Sequence, residues 1–219
     1  IGERGIGELR KWLEEGYRTI QHYDNIYSEW MTVPRSIKTT SVKPSGTVSS
    51  VAGATPGMHW PVSEYYIRRM RLSKNSEIVE PIKRAGFYIE DDKDDNGSFV
   101  VEFPVHVGKG VRSEEKLSMW EQFEMAAFLQ RYWSDNQVSC TIKFDSEREG
   151  MEIAHALDFF QYQLKGVSML PKRPGVYEQS PFEPITKEEY IERSKGIRPI
   201  DFSGVRNQEA LVDKFCSND

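Results

Sequence analysis

Cysteine is scarce in this sequence: Cys140 and Cys216 are the only two. Two thiols cannot build a disulfide framework, so a reducing cytoplasm is the expected compartment. No apolar run approaches the ~20 residues that a membrane-spanning helix needs, and nothing resembles a signal peptide. Basic charge is short as well, with 29 Lys and Arg against 34 Asp and Glu for a net charge of -5. A general nucleic-acid binder would carry a basic face, so that class is set aside. The histidines, His22, His59, His106 and His155, show no metal-ligand spacing such as HxxxH. An initiating Met is missing too. The chain opens on Ile1 and stops at Asp219 shortly after a cysteine, so both ends read as cuts within a longer polypeptide.

What is present is ordinary globular material: 219 residues, 38% hydrophobic and 12% aromatic, enough for one large domain or a large piece of one. Ile6, Leu9, Leu13, Tyr17 and Ile20 recur every three or four residues, which predicts an amphipathic helix over 6–30. Residues 37–42 and 65–72 read as strands, and 75–85 as a helix closed by Gly86. Residues 91–97 read as a solvated acidic hairpin loop leading into a strand over 98–105. The run Asp91-Asp92-Lys93-Asp94-Asp95 lacks the distal Glu of a calcium loop. A long helix is expected over 113–133, then a strand over 137–144. Ser146 and Glu149 form a capping-box pattern for a helix reaching Leu164, and Thr186 with Glu189 forms another. Between them lie a short apolar strand at 167–170 and a Pro-rich loop at 171–184. Trp120, Phe123, Phe128, Trp133, Phe159 and Phe160 fall at core-like helical spacing. Arg68, Arg69 and Arg71 suit phosphate, but pairing with nearby carboxylates is the expected role. Strands and helices alternate, with crossovers long enough for parallel pairing and no linker that divides the chain. The expected class is α/β, as an incomplete sheet or barrel.

One stretch invites a chemical reading. Ser41-Val42-Lys43-Pro44-Ser45-Gly46-Thr47-Val48-Ser49-Ser50 follows a strand and precedes a possible helical turn. A helix start there would aim free backbone N–H groups and its positive dipole end at a phosphate. Gly46 would let the backbone approach an oxyanion, and Ser45, Thr47 and Ser49 add hydroxyl donors. A plain strand-to-helix turn uses the same residue types, and the loop is neither a Walker P-loop nor GxGxxG. Both readings stay open on physics alone.

The wider pattern resolves further. Lys38-Thr39-Thr40-Ser41-Val42-Lys43-Pro44-Ser45-Gly46-Thr47-Val48-Ser49, followed by Ala52-Gly53-Ala54-Thr55-Pro56-Gly57-Met58-His59-Trp60-Pro61, resembles the adenosylcobalamin-dependent ribonucleotide reductases, in the monomeric branch that acts on ribonucleoside triphosphates. The likeness continues through 65–69, 101–105, Tyr132-Trp133-Ser134-Asp135-Asn136-Gln137-Val138-Ser139-Cys140 and 181–186, and so covers nearly the whole chain. It implies the C-terminal portion of a ten-stranded α/β reductase barrel over residues 1–197, with a mobile redox tail over 198–219. It implies that Ser45, Gly46, Thr47, Val48 and Ser49 hold the substrate phosphates, Val48 and Ser49 through backbone N–H groups. It implies adenosylcobalamin as the cofactor of the full enzyme, the upstream half of the barrel as partner, and a thioredoxin-type reductant.

Resemblance also assigns the thiols. The radical-bearing cysteine and the active-site pair of the family would lie upstream of Ile1, so the radical chemistry is expected outside this chain. Cys216, in Asp213-Lys214-Phe215-Cys216-Ser217-Asn218-Asp219, matches the tail position that re-reduces the active-site disulfide, with its partner cysteine beyond Asp219. Cys140, between Val138 and Ile142, reads as a buried hydrophobe with no role. His59 lies beside the loop, where it either packs a turn or approaches a ligand. The tyrosine pair of oxygen-dependent reductases has no counterpart in Leu164-Lys165-Gly166-Val167-Ser168-Met169-Leu170, and the tail lacks a glycyl-radical context, which leaves cobalamin as the radical source. The competing readings are a non-catalytic nucleotide-binding split fragment and a diphosphate-specific cobalamin reductase.

Overall fold

The apolar stripe that starts at Ile6 does fold as a helix, α1, over Gly5–Met31. The computed structural model to which it belongs describes residues 5–44, 49, 54–172 and 178–205. The further elements in chain order are β1 (Tyr65–Ser73), α2 (Val79–Ala85), β2 (Tyr88–Asp91), β3 (Ser98–His106), α3 (Met119–Tyr132), β4 (Thr141–Phe144), α4 (Ile153–Phe160), β5 (Ser168–Pro171), β6 (Phe182–Pro184) and α5 (Lys187–Ser194). They divide into two compact units, residues 1–64 with 107–174 and residues 65–106 with 175–219. Each unit is assembled from two separate stretches, which is why no linker is visible in the sequence.

The first unit is the parallel one. β4 pairs with β5 from Thr141↔Ser168 to Phe144↔Pro171, and α4 makes the crossover that a parallel pair requires. Upstream, Val42 makes a parallel bridge to Val138. That bridge is all the regular pairing found in the expected strand at 37–42. The core gathers Met58, Met119, Phe123, Ala126, Val138, Ile142 and Phe160, with the Phe123 and Phe160 rings stacked at 5.1 Å. Phe159, expected in that core, is 58% exposed instead.

Helix starts in this unit are set by side chains rather than by length of pattern. Ser118 and Glu121 form a reciprocal capping box, so α3 begins at Met119 and a separate 3-10 turn occupies Glu114–Lys116. The expected box at Ser146 and Glu149 does not form. The Glu149 carboxylate instead accepts from the N–H groups of Met119 (2.6 Å) and Asp145 (2.9 Å), while Asp145 accepts from Glu147 and Arg148. Glu149 thus serves the start of α3, and α4 begins only at Ile153. Buried Gln122 donates to the Lys143 carbonyl at 2.7 Å and accepts from its N–H at 2.9 Å. It stands in for a strand neighbour of β4.

The second unit is antiparallel: the expected hairpin at 91–97 joins β2 to β3, while the parallel pairing expected from the alternation of elements is absent from this sheet. Its strand order is β2-β3-β1-β6, with Arg69 opposite Glu102 in the β1–β3 register. β2 is a short strand over residues to which the sequence assigns no element, and β6 lies within the expected Pro-rich loop. Val100 and Val101 are both fully buried, so both faces of β3 are covered. Gly86 closes α2 as expected, with φ at 90° and its N–H on the Ile82 and Lys83 carbonyls. Thr186 and Glu189 form the second expected capping box, at the start of α5.

Charge is buried at the centre of this sheet. The Arg69 guanidinium donates to Glu102 through Nε (3.0 Å) and Nη2 (2.7 Å), and it pairs with Glu183 on β6. Arg193 of α5 reaches the other oxygen of Glu102 at 2.7 Å. Arg69 and Glu102 are both buried, so their ionic bonds hold β6 and α5 onto the sheet where few apolar groups do. Asp92, expected in a solvated loop, is buried and accepts from Arg71 at 2.7 Å. Arg69 and Arg71 are therefore occupied by carboxylates, while Arg68 donates to the Pro181 carbonyl at 3.2 Å and lies over the Phe182 ring. We predict that Glu102→Ala, which leaves Arg69 buried with half-exposed Glu183 alone, costs about 3 kcal/mol in urea unfolding. A loss below about 1 kcal/mol would place the pair with ordinary surface ion pairs.

Candidate functional site

The glycine-rich loop is reached through residues 38–44, and one carboxylate fixes that approach. Asp135 follows α3, whose last turn is completed when the Trp133 and Ser134 N–H groups bond the Leu129 carbonyl. Its Oδ2 accepts from the Thr39 backbone N–H (2.8 Å) and hydroxyl (3.0 Å), and its Oδ1 accepts from the Tyr17 hydroxyl of α1 (2.8 Å). Gln21, one turn further along α1, donates to the Thr39 hydroxyl at 2.7 Å.

Thr40 continues the same junction. Its buried hydroxyl donates to the Trp133 carbonyl and accepts from the Asp135 N–H, and its carbonyl accepts from the Asn136 N–H at 3.2 Å. The Trp133 indole donates to the Ser41 carbonyl, and the Ser139 N–H bonds the Val42 carbonyl at 2.9 Å. Residues 39–42 are thereby bonded residue by residue to 133–139. Burial pushes the Asp135 carboxyl up, but the bonds from Thr39 and Tyr17 outweigh it and hold the pKa below the ordinary value. Tyr17 is raised, first by its bond to Asp135.

The far side of the loop is closed by a glycine. Gly57 has φ at 55°, and a Cβ there would lie 2.8 Å from the Lys43 carbonyl oxygen. Only glycine lets the turn after the loop press against the residues that enter it. His59 turns back on that turn, with its backbone N–H and Nδ1 each 3.0 Å from the Pro56 carbonyl oxygen. Of the expected phosphate residues, Ser49 is described: it is helical and buried, and its carbonyl accepts from the Ala54 N–H at 2.9 Å. Ser45, Gly46, Thr47 and Val48 lie outside the described residues, as does Cys216.

Residues 39–44, which lead into the glycine-rich loop, are thus held by the Val42–Val138 bridge, by Asp135 and by the close approach of Gly57. The sequence places Tyr17 in a helix stripe and Gly57 in a turn, but it assigns no role at this site to Asp135, Tyr17, Thr39 or Gly57. Asp135 stood inside a quoted motif, yet its partners are 96 and 118 residues away in sequence, so no local signal names them. Cys140 is buried, and burial pushes its thiol up to about 11, which makes it a poor nucleophile.

Comparison with known proteins gives consistent relatives. No family model matches the chain. It is 49% identical over 219 residues to the "Probable adenosylcobalamin-dependent ribonucleoside-triphosphate reductase" of Dictyostelium discoideum, covering 98% of this chain and 29% of that protein. It is 47% identical to the adenosylcobalamin-dependent ribonucleoside-triphosphate reductase of Euglena gracilis, covering 100% of this chain and 31% of that one. A crystal structure of a B12-dependent (class II) ribonucleotide reductase superposes with a TM-score of 0.79 at 38% identity, over 87% of this chain and 27% of that one. The chain thus spans less than a third of the length of the relatives it matches, and its fold is a portion of theirs. No closed barrel forms among the described residues.

Asp135→Asn is expected to lower stability by about 2 kcal/mol near neutral pH, since bonds to a charged acceptor become bonds to an amide. Because the folded pKa is depressed, the carboxylate's contribution is complete above the unfolded value of about 4 and fades as pH falls through the folded one. Urea midpoints of both proteins should therefore converge on acidification below about pH 4. A gap that is constant with pH would rule out the ionised carboxylate as the source.

Proposed function

We propose, from the premise that this chain belongs to the adenosylcobalamin-dependent ribonucleoside-triphosphate reductases as a homologous segment of them, that it supplies the substrate-phosphate loop and the redox tail of such an enzyme. The complete protein converts ribonucleoside triphosphates to deoxyribonucleoside triphosphates in the cytoplasm. The observation that carries this is the junction at Asp135. It bonds residues 39–42 to 133–139, so the loop that follows starts from an anchored stretch of chain.

Ser45, Gly46, Thr47, Val48 and Ser49 then hold the substrate's phosphates, the hydroxyls and backbone N–H groups donating to the oxyanions. Lys43, exposed at the loop entrance, adds a positive charge next to them in sequence. Adenosylcobalamin supplies the radical in the complete enzyme. No residue of this chain is assigned a contact with it. The thiyl chemistry belongs to the upstream half of the barrel, the first partner of this chain.

The second partner is a thioredoxin-type protein. Residues 198–219 carry Cys216 as one thiol of a pair that reduces the active-site disulfide formed at each turnover. The Cys216 thiolate attacks one sulfur, its neighbour resolves the mixed disulfide, and the two electrons are replaced from the external dithiol. The stretch 198–219 starts at Arg198, whose N–H bonds the Ala85 carbonyl at 2.8 Å and whose guanidinium reaches the Arg84 carbonyl.

Two substitutions in the complete enzyme test the two halves of this reading. Gly46→Val is expected to abolish ribonucleoside-triphosphate binding while the urea midpoint stays close to that of the parent, because a β-branched side chain intrudes on the oxyanion. Unchanged affinity in equilibrium binding removes the phosphate-loop assignment. Cys216→Ser should permit a single turnover but nearly stop multiple turnover with thioredoxin, and a small dithiol should restore part of the rate. Normal thioredoxin-dependent turnover would make Cys216 an incidental thiol.

A further inference from the structure

The last turns of α1 present aromatic rings to solvent rather than to the core of their own unit. Tyr23 and Tyr27 stack at 5.9 Å, and Trp30 meets Tyr27 edge-on at 5.5 Å. Trp30 is 76% exposed and Ile37 is 96% exposed, with Met31 and Val33 beside them also open. Contiguous apolar surface of this kind is unusual on a soluble protein that has no further contact to make.

The surface is built rather than loose. Thr32 adopts a left-handed φ of 56°, and the Thr32 and Val33 N–H groups bond the Glu29 and Ser28 carbonyls, so the chain turns sharply off the helix. Asp24 then accepts from the Ser36 N–H at 3.1 Å and from its hydroxyl at 2.5 Å, folding the 33–37 segment back along α1. Between them lies an open groove of about 540 Å³, floored by Tyr23 and Tyr27 and walled by Ser36, Lys38 and Thr39. That wall runs directly into residues 39–42, which form the outermost described member of the parallel arrangement 39–42, β4, β5.

Parallel sheets are stable when both faces are covered and the strand set is extended, and two or three short strands fall below that requirement. The missing cover has a specific source. The relatives carry more than two-thirds of their length outside the stretch this chain matches. We propose that the groove and the Tyr27–Trp30–Ile37 face are the docking surface for that remaining part of the reductase polypeptide, which seats an apolar ridge between α1 and residues 36–39. This rests on the reading of the chain as a reductase segment, and it names the surface through which the phosphate loop is joined to the rest of the enzyme.

The test is oxidative footprinting, read by mass spectrometry at Tyr27, Trp30 and Met31. One sample is this chain alone. The other is a full-length polypeptide in which this chain replaces the matching 219-residue stretch of the Dictyostelium discoideum relative. The expected result is ready labelling of all three residues in the chain alone and loss of that labelling in the full-length protein. Equal labelling in both overturns the proposal. So does labelling of the isolated chain that falls with concentration as a dimer mass appears, since the occupant is then a second copy. Weak labelling of the isolated chain that rises once residues 206–219 are removed assigns the groove to the chain's own end and also overturns it. Nucleotide binding is measured on the same full-length protein. Binding with Trp30 still labelled sinks this inference alone, and protection of Trp30 without binding supports it while sinking the phosphate-loop reading.

Discussion

The Asp135 carboxylate holds three stretches of chain at one point: α1 through Tyr17, the approach to the glycine-rich loop through Thr39, and the end of α3 from which it projects. Without it, Thr39 would keep only its bond from Gln21 among the described residues, and Tyr17 would no longer be tied to the junction. A carboxylate suits this place because it accepts several donors at once, each stronger for the charge. The cost is desolvation, which by itself would raise the Asp135 pKa; the donors more than offset it. The loop inherits its position from this junction, and Gly57 then closes the loop's base by allowing backbone against backbone.

The second unit solves a similar problem with a different balance. Its β6 strand and α5 helix add little apolar surface, and Arg69, Glu102, Glu183 and Arg193 tie them down instead. Buried ion pairs are weak stabilisers against an apolar alternative, because both charges lose their water. They are demanding about geometry, however. A slip of β1 against β3 by one residue would move Arg69 to the opposite face from Glu102, so the pair specifies the register.

These two solutions suit a segment whose chemistry is shared with other parts of a larger enzyme. The loop is anchored by polar bonds within its own unit, while the aromatic end of α1 is left open. The only described thiol, Cys140, is sealed in the core at a pKa of about 11. On the proposed reading, redox work belongs to Cys216 and radical work to the remainder of the polypeptide, and Cys140 takes part in neither.

Much was legible from sequence where the signal is local. The 3.6-residue stripe from Ile6 predicts α1, Gly86 predicts the end of α2, and Thr186 with Glu189 predicts the start of α5, because each depends on residues within one or two turns. The glycine-rich loop and its flanking motifs were enough to suggest the family, since a long ordered match needs no coordinates. What sequence could not decide is every relation that depends on distant partners. Ser146 and Glu149 have the spacing of a capping box, yet Glu149 serves Met119, thirty residues earlier. Asp92 sits in a run of acids, yet Arg71 draws it into the interior. Strand direction was legible only where it is local: the hairpin at 91–97 gives β2 and β3, but alternating elements suggest parallel crossovers, and β1 pairs antiparallel with both β3 and the distant β6. Asp135 belongs to the same class. Its identity is written in the sequence, but its function as the junction is created only when residues about a hundred positions apart are brought within 3 Å.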